Sequence, residues 1–299
     1  MTLRPAYLLG VLVLLAAGAG IALQGDPAPA ANPASVAASV QVSQAPRSTK
    51  PSAPTADAST EWLDNEAALM DNALYKAGRM PKSGCRPPSD RLRSSAVVIA
   101  YARVMVGCLN RSWKQLLTRA DFSFYPPDFA AYKDKTSSPC GPADDGAVAF
   151  YCPENHKIYL DWPEYVTKRR DEQPYAQTAL MDVMAHEYGH HVQELVGIGA
   201  FADDRYERAS GDAQLEESRR TELQASCFGA AFLGADKQSL QLVGERLEGL
   251  QDDMSTGDES GGARDHGSEE NNQYWTSSAF DSASPASCNT WKASAEYVS

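Results

Sequence analysis

The segment His186-Glu187-Tyr188-Gly189-His190 constrains the fold of this chain more than any other feature. Residues four apart lie on one face of an α-helix, so His186 and His190 can bind one metal ion, and Glu187 can reach a water molecule beside it. Catalytic zinc sites have three protein ligands and a fourth position for water, whose pKa falls to about 7. The segment therefore predicts a catalytic zinc site on a helix. A helix whose histidines only form hydrogen bonds in the core is the alternative.

A catalytic zinc site needs a third protein ligand, and no histidine follows at the spacing of the longer HExxHxxGxxH motif. The candidates are three later glutamates, Glu216, Glu217 and Glu222. Glu222 shares one face of a predicted helix over 213–234 with small residues that allow a close approach to the HExxH helix. These small residues are Ala225, Ser226 and Gly229. A charged run of this kind is also typical of a solvated helix face, so spacing alone leaves the third ligand open.

Several segments together resemble the bacterial neutral zinc metallopeptidases, a family with an HExGHHVQ segment followed by an ELQADC-like segment. The matching segments are 186–193 (HEYGHHVQ), 222–228 (ELQASCF), 266–268 (HGS), 288–290 (CNT) and, upstream, 140–141, 150–153 and 158–161. The similarity runs from about Cys108 to Trp291. The resemblance implies that His186, His190 and Glu222 bind one Zn²⁺ ion per chain. It also implies that Glu187 is the general base of peptide-bond hydrolysis, in a gluzincin-like site.

Two positions depart from the family pattern. Ser226 stands where the family usually has Asp, and Asn272 stands where it often has Arg. Loss of a group that orients a ligand histidine typically costs about 10–100-fold in metal affinity or activity. We therefore expect a zinc metallopeptidase with weakened activity. The alternative is a zinc-stabilised envelope protein that binds a partner and has lost catalysis.

Two further histidines lie in or near these segments. His191 points about 100° away from His190 round the helix, which predicts a packing role rather than a fourth ligand. His266 is a candidate catalytic residue, because a histidine often stabilises the oxyanion in acyl transfer. A loop histidine with only a structural role is the alternative.

The N-terminal fifth of the chain has a different character from the rest. Residues 1–23 hold an apolar run over 8–23, which predicts a signal peptide, favoured by the Ala-x-Ala pattern at 17–19, or a membrane anchor. Residues 24–58 are rich in Ala, Pro and Ser and predict a disordered linker. Residues 59–299 then form the metallopeptidase-like domain. This organisation predicts an extracytoplasmic protein, secreted or anchored by its N-terminal segment.

Six cysteines form an even set that is compatible with three disulfides in an exported chain. We expect Cys140 to pair with Cys152, because a bridge would pin the Gly- and Pro-containing loop between them. A Cys227–Cys288 bridge would tie the candidate ligand helix to the C-terminal segment, leaving Cys85 for Cys108. Cysteine-bound zinc is the competing interpretation, but there is no C-x-x-C spacing.

The net charge of −12 argues against a nucleic-acid partner, since no Lys/Arg cluster is long enough to follow a phosphate backbone. The expected partner is a peptide or protein substrate. Much of the acidic excess lies in residues 252–270, which predicts a solvated loop, with calcium binding as the alternative. The sequence indicates no oligomeric state.

The expected fold class is α+β, mostly helical: a zincin-like domain with a small β-sheet beside the HExxH helix. Apolar spacing predicts helices over 60–77, 90–119, 176–197 and 213–234. Residues 147–151 and 157–162 predict two short strands joined as a hairpin. Because zincin-type enzymes bind substrate as an added strand, we expect 157–162 to be the substrate-binding edge, with a core strand as the alternative.

Overall fold

A computed structural model of the protein describes residues 65–143, 147–168, 175–258 and 264–299. The α-helices of these ranges are α1 Asn65–Met70, α2 Ser95–Arg119, α3 Tyr175–Leu195, α4 Ile198–Arg208, α5 Asp212–Ala235, α6 Glu245–Met254 and α7 Glu269–Ser282. The strands are β1 Asp128–Tyr132, β2 Ser137–Ser138, β3 Gly141–Pro142, β4 Ala149–Cys152 and β5 Lys157–Asp161. Short 3₁₀ segments occupy Ala73–Lys76, Pro153–Asn155, Pro285–Ser287, Thr290–Lys292 and Ala295–Val298, and a π-turn occupies Glu164–Lys168. The predicted fold class, a mostly helical α+β domain with a small sheet beside the HExxH helix, is confirmed.

Helices α3 and α5 are in backbone contact at the centre of the core. A Cβ atom on Gly189 would lie 2.4 Å from the carbonyl oxygen of Ala225, and one on Gly229 would lie 2.9 Å from the backbone of Ala185. Any side chain at these two glycines would push the helices apart. The small residues that the sequence places beside Glu222 therefore act as predicted, and they set the distance between the HExxH helix and the helix that carries Glu222.

Capping side chains explain why two predicted helices are shorter than expected. Ser94 accepts a hydrogen bond from the backbone N–H of Val97 at 3.4 Å, so α2 begins at residue 95 rather than at 90. Asn72 accepts from the N–H of Leu74 at 3.0 Å and starts a separate 3₁₀ turn. The predicted helix over 60–77 is thus divided into α1 and this turn within the described residues.

The three-stranded sheet has the order β1-β5-β4. β4 and β5 form the predicted antiparallel hairpin, and β1 pairs with β5 in parallel. The expectation that 157–162 forms the substrate-binding edge is therefore wrong, because β5 is hydrogen-bonded on both sides. β1 and β4 are the two edge strands, and β4 lies against α3.

All three expected cysteine pairs lie at bonding distance. The S–S distances are 2.02 Å for Cys85–Cys108, 2.05 Å for Cys140–Cys152 and 2.08 Å for Cys227–Cys288. The first ties the segment before α2 to that helix. The last ties α5 to the segment after α7, which packs behind the candidate site.

The interpretation of the chain as membrane-anchored requires correction. Within the described ranges, no helix combines the length and apolar character needed to cross a bilayer. The long helices α2, α3 and α5 each carry at least three charged residues. N-terminal anchoring is therefore not supported, and the predicted segments 1–23 and 24–58 lie outside the described residues.

Candidate metal centre

The three expected ligands meet at one point between α3 and α5. The Nε2 atoms of His186 and His190 lie 3.1 Å apart, and each lies close to Oε2 of Glu222, at 3.2 and 3.3 Å. Two helical turns of α3 supply the imidazoles, and the close contact at Gly189 and Gly229 brings the carboxylate to them. The other two candidates for the third ligand are engaged elsewhere. Glu216 pairs with Arg220, and Glu217 pairs with Arg205.

The spacing of these three atoms fits a zinc ion. Two ligand atoms at about 2.1 Å from a tetrahedral zinc are about 3.4 Å apart. The three observed separations, 3.1 to 3.3 Å, are close to that value. Two imidazole nitrogens and one carboxylate oxygen are also the ligand set of known catalytic zinc sites. His186, His190 and Glu222 would therefore hold the ion and leave its remaining position open to the cleft.

A hydrogen-bond chain sets the tautomer of His190. The side-chain amide of Gln193 donates from Nε2 to the carbonyl of Thr221 and to Oε1 of Gln224, at 2.9 and 3.1 Å. Its Oε1 therefore faces His190 Nδ1 at 3.0 Å and can only accept. Nδ1 must carry the proton, so the lone pair of Nε2 points at the metal position.

His186 has a weaker support of the same kind. Its Nδ1 lies 2.9 Å from the hydroxyl of Ser226, one helical turn after Glu222. A hydroxyl can donate or accept, so it fixes the tautomer less strictly than the Gln193 carbonyl does. Ser226 keeps the geometry of an orienting group without the charge that an aspartate would bring.

The electrostatics of the cluster favour a cation at its centre. Burial lowers the pKa of His190, but the Glu222 carboxylate more than offsets this and raises that pKa to about 9. Burial raises the pKa of Glu222, yet His190 and His186 hold it well below its usual range. The site thus stabilises positive charge between these side chains, which is the charge a bound zinc ion brings.

Glu187 faces the same cleft from the next position of α3. Its side chain is buried, and its carboxyl accepts a hydrogen bond from the backbone N–H of Tyr151 in β4. Burial and the nearby Glu222 raise the pKa of Glu187, while His186, His190 and that N–H oppose the rise. The net shift is upward, towards the range in which a carboxylate exchanges protons near neutral pH.

His191 has the packing role that its direction predicts. Its Nε2 lies 2.9 Å from the backbone carbonyl of Tyr125, so it must donate there, and Nδ1 accepts from the Tyr151 hydroxyl at 2.9 Å. Burial lowers the pKa of His191 to about 4, which keeps the ring neutral. Through Tyr151 this residue also holds the strand that bonds Glu187.

His266 lies at the rim of the cleft rather than in the ligand cluster. Its Nδ1 lies 2.8 Å from Asp265 Oδ1, and its side chain is 63% exposed. Burial lowers its pKa, but the carboxylates of Glu222, Asp265 and Asp258 raise it by more. A ring whose protonated form is favoured by nearby carboxylates suits an oxyanion donor, and this role stays a prediction.

Three side chains of the site were not identified from the sequence. Asp182 lies one turn before His186 on α3 and lines the cleft, Gln193 orients His190, and Tyr151 bonds both Glu187 and His191. Helical spacing could have indicated the first two, which lie four residues before His186 and three after His190. The sequence predicts a strand over 147–151 in a sheet beside the HExxH helix, but no local pattern shows that Tyr151 is the residue that contacts α3.

Comparison with known proteins agrees with this geometry. A family model described as "Putative neutral zinc metallopeptidase" matches residues 89–291, more than half of the chain. The chain belongs to this family. The family implies zinc as the metal and, as the broadest class of activity, a hydrolase.

Three relatives of this chain come from Escherichia coli and from two mycobacteria. "Uncharacterized protein YpfJ" of Escherichia coli K12 is 28% identical over 202 residues, 64% of this chain and 70% of the relative. "Uncharacterized protein Mb2605" of Mycobacterium bovis and "Uncharacterized protein Rv2575" of Mycobacterium tuberculosis are each 29% identical over 252 residues, 75% of this chain and 80% of the relative. No solved structure matches the chain.

Proposed function

We propose that the protein is a zinc-dependent metallopeptidase that hydrolyses peptide bonds with Glu187 as the general base. The observation that carries the proposal is the meeting of His186, His190 and Glu222 at 3.1 to 3.3 Å, with Glu187 in the same cleft. Zinc held by these ligands would supply Lewis-acid chemistry, which polarises a peptide carbonyl and lowers the pKa of a water molecule.

Glu187 moves the protons of the reaction. Its carboxylate takes a proton from the attacking water and later delivers it to the amine nitrogen of the leaving product. The Tyr151 N–H fixes the direction of the carboxylate, and burial brings its pKa closer to neutral, so both transfers are accessible. His266 would donate to the developing oxyanion from the rim.

The edge strand β4 supports a peptide as the substrate. Residues 147–151, which include the start of β4, line the cleft, and β5 occupies only one side of that strand. An extended peptide can add to a free strand edge through backbone hydrogen bonds. Such a peptide would run alongside α3 and its ligand pair.

A zinc-stabilised binding protein without catalysis is the competing function. The uncharged Ser226 and Asn272 favour it, because the family pattern usually has a charged Asp at the first position and often a charged Arg at the second. Zinc content would be the same for both functions, so only turnover separates them.

The test compares the zinc-loaded parent with Glu187→Gln, using a mixture of unstructured peptides and mass spectrometry of the products. We expect both proteins to hold zinc and Glu187→Gln to lose turnover by about 10²–10⁴-fold, as for removal of a general base. Glu248→Gln, an exposed position on α6 outside the cleft, is the matched control and should keep full activity. A zinc-loaded parent that cleaves none of the peptides would favour the binding protein.

A further inference from the structure

Acidic side chains line the cleft well beyond the candidate metal centre. The cleft has a volume of about 830 Å³, and Asp182, Glu194, Asp203 and Asp265 line it in addition to Glu187 and Glu222. Among the described lining residues there is no lysine or arginine. A bound zinc ion would offset Glu187 and Glu222, and the other four carboxylates would remain.

Two of these acids flank the ligand pair along α3. Asp182, His186, His190 and Glu194 follow each other at intervals of four residues, so they lie in one row on one face of the helix. Successive members are about 6 Å apart along the axis. A peptide crossing the metal position therefore meets a carboxyl about one helical turn to either side.

A second feature of the cleft calls for a hydrogen-bond donor. Asn272 lines the cleft, and only 9% of its surface is exposed. Its Nδ2 donates to the carbonyl of Thr256, whereas its Oδ1 has no hydrogen-bond partner. A buried amide oxygen without a partner is costly, and a donor supplied by a ligand would remove that cost.

The end of α6 and the residues just after it interact with both Asp182 and Asn272. Asp253 lies in the last turn of α6, and its charge interacts with Asp182. Thr256 lies just after α6, and its carbonyl accepts a hydrogen bond from Asn272. Burial and the charge of Asp253 raise the pKa of Asp182 to about 7, because the charge of His186 only partly compensates them. An ammonium or guanidinium group of a ligand would supply both a positive charge beside Asp182 and a hydrogen-bond donor for Asn272. A neutral side chain would not supply the charge.

We propose that the cleft selects peptides with a lysine or arginine beside the scissile bond, and that Asp182 and Asn272 form the subsite for that basic side chain. This inference rests on the proposed peptidase function. Its two supports are the acidic lining of the described cleft, which contains no lysine or arginine, and the unpartnered Asn272 oxygen. Asp182 is one helical turn from the ligand His186, so the side chain it binds belongs to a residue next to the cleaved bond.

The test measures cleavage of an equimolar library of synthetic peptides, randomised at the central positions, by the zinc-loaded full-length protein. We expect sites flanked by lysine or arginine to be cut about tenfold faster than matched sites with glutamine, a difference equivalent to about 1.4 kcal/mol. Asn272→Arg places a guanidinium in the subsite and should abolish this preference while glutamine sites are still cut. Gln273→Arg adds the same charge at the neighbouring exposed position of α7 and should retain the preference.

A second variant guards against misfolding of Asn272→Arg. Asp182→Asn keeps the shape of the side chain and removes its charge, and it too should reduce the preference for basic residues. Cleavage by the parent without any preference for lysine or arginine would overturn the inference and leave the peptidase function intact. A parent that holds zinc and cuts no peptide would overturn both, since the inference depends on turnover.

Discussion

Two clusters of histidine and carboxylate side chains border the same cleft, and only one directs its potential ligand atoms at a common centre. In the first, His186, His190 and Glu222 are 18–21% exposed and come from the two central helices. In the second, Asp258, Asp265 and His266 come from the segment before α7, and the His266 side chain is 63% exposed. The ligand atoms of each cluster lie within 4.8 Å of one another, so proximity does not distinguish them.

The difference lies in what the potential ligand atoms already bind. Oδ1 and Oδ2 of Asp258 accept hydrogen bonds from the backbone N–H groups of His266 and Gly267, at 3.0 and 2.8 Å. Both oxygens of this carboxylate are therefore already engaged by the backbone. In the first cluster His186 Nδ1 is hydrogen-bonded to Ser226, and His190 Nδ1 is hydrogen-bonded to Gln193. The Nε2 atoms of both histidines are therefore directed at the centre of the cluster. A metal site needs side chains whose positions are fixed through atoms other than the ligand atoms.

The largest effect should follow from separating the two ligand helices. Gly189→Ala would place its Cβ 2.4 Å from the carbonyl oxygen of Ala225, so α5 must move and carry Glu222 away from the histidines. We expect a loss of about 1–3 kcal/mol of stability, as for overpacking, together with loss of bound zinc. Thermal melting and elemental mass spectrometry would measure the two.

Gly107→Ala is the matched control for that substitution. Gly107 also lies inside a helix, and the nearest atom to its added Cβ would be the end of the Arg111 side chain at 3.7 Å. Alanine favours helix by about 1 kcal/mol over glycine, so this variant should be as stable as the parent or more stable. Equal melting temperatures for the two variants would contradict the importance of the α3–α5 contact.

A smaller effect should follow from removing the groups that orient the histidines. Gln193→Ala and Ser226→Ala leave the ligands in place, and each should weaken zinc binding by about 10–100-fold. Gln193→Ala should be the more damaging, because the Gln193 carbonyl can only accept and fixes the tautomer of His190, whereas the Ser226 hydroxyl can donate or accept. Competition with a fluorescent chelator would give the affinities. Ser218→Ala, which removes a hydroxyl from the same cleft without touching a ligand, should bind zinc as the parent does.

The smallest effect on zinc should come from the second cluster. His266→Ala removes its only imidazole, and we expect zinc affinity to remain within about twofold of the parent because the described ligands lie elsewhere. Turnover of peptides should fall, with kcat affected more than KM, since an oxyanion donor acts in the transition state. Loss of zinc from His266→Ala would show that the two clusters form one site.

The sequence was most informative where helical spacing governs the structure. The HExxH row, Glu222 and the small residues around it all follow from the period of an α-helix, and the helices α3 and α5 start and end within two residues of the expected positions. The strand order did not follow, because the parallel pairing of β1 with β5 joins segments about 30 residues apart and leaves no local pattern. For the same reason no local pattern shows that β5 lies in the middle of the sheet. The contacts of Tyr151 and Asn272 also depend on the folded chain.

The most direct test of the metal centre is the zinc content of the purified full-length protein and its ligand variants, measured by elemental mass spectrometry. We predict about one zinc per chain for the parent and almost none for His190→Ala and Glu222→Ala, with Glu216→Ala as the control that keeps its zinc. Zinc retained without Glu222, or no zinc in the parent, would contradict the three-ligand site.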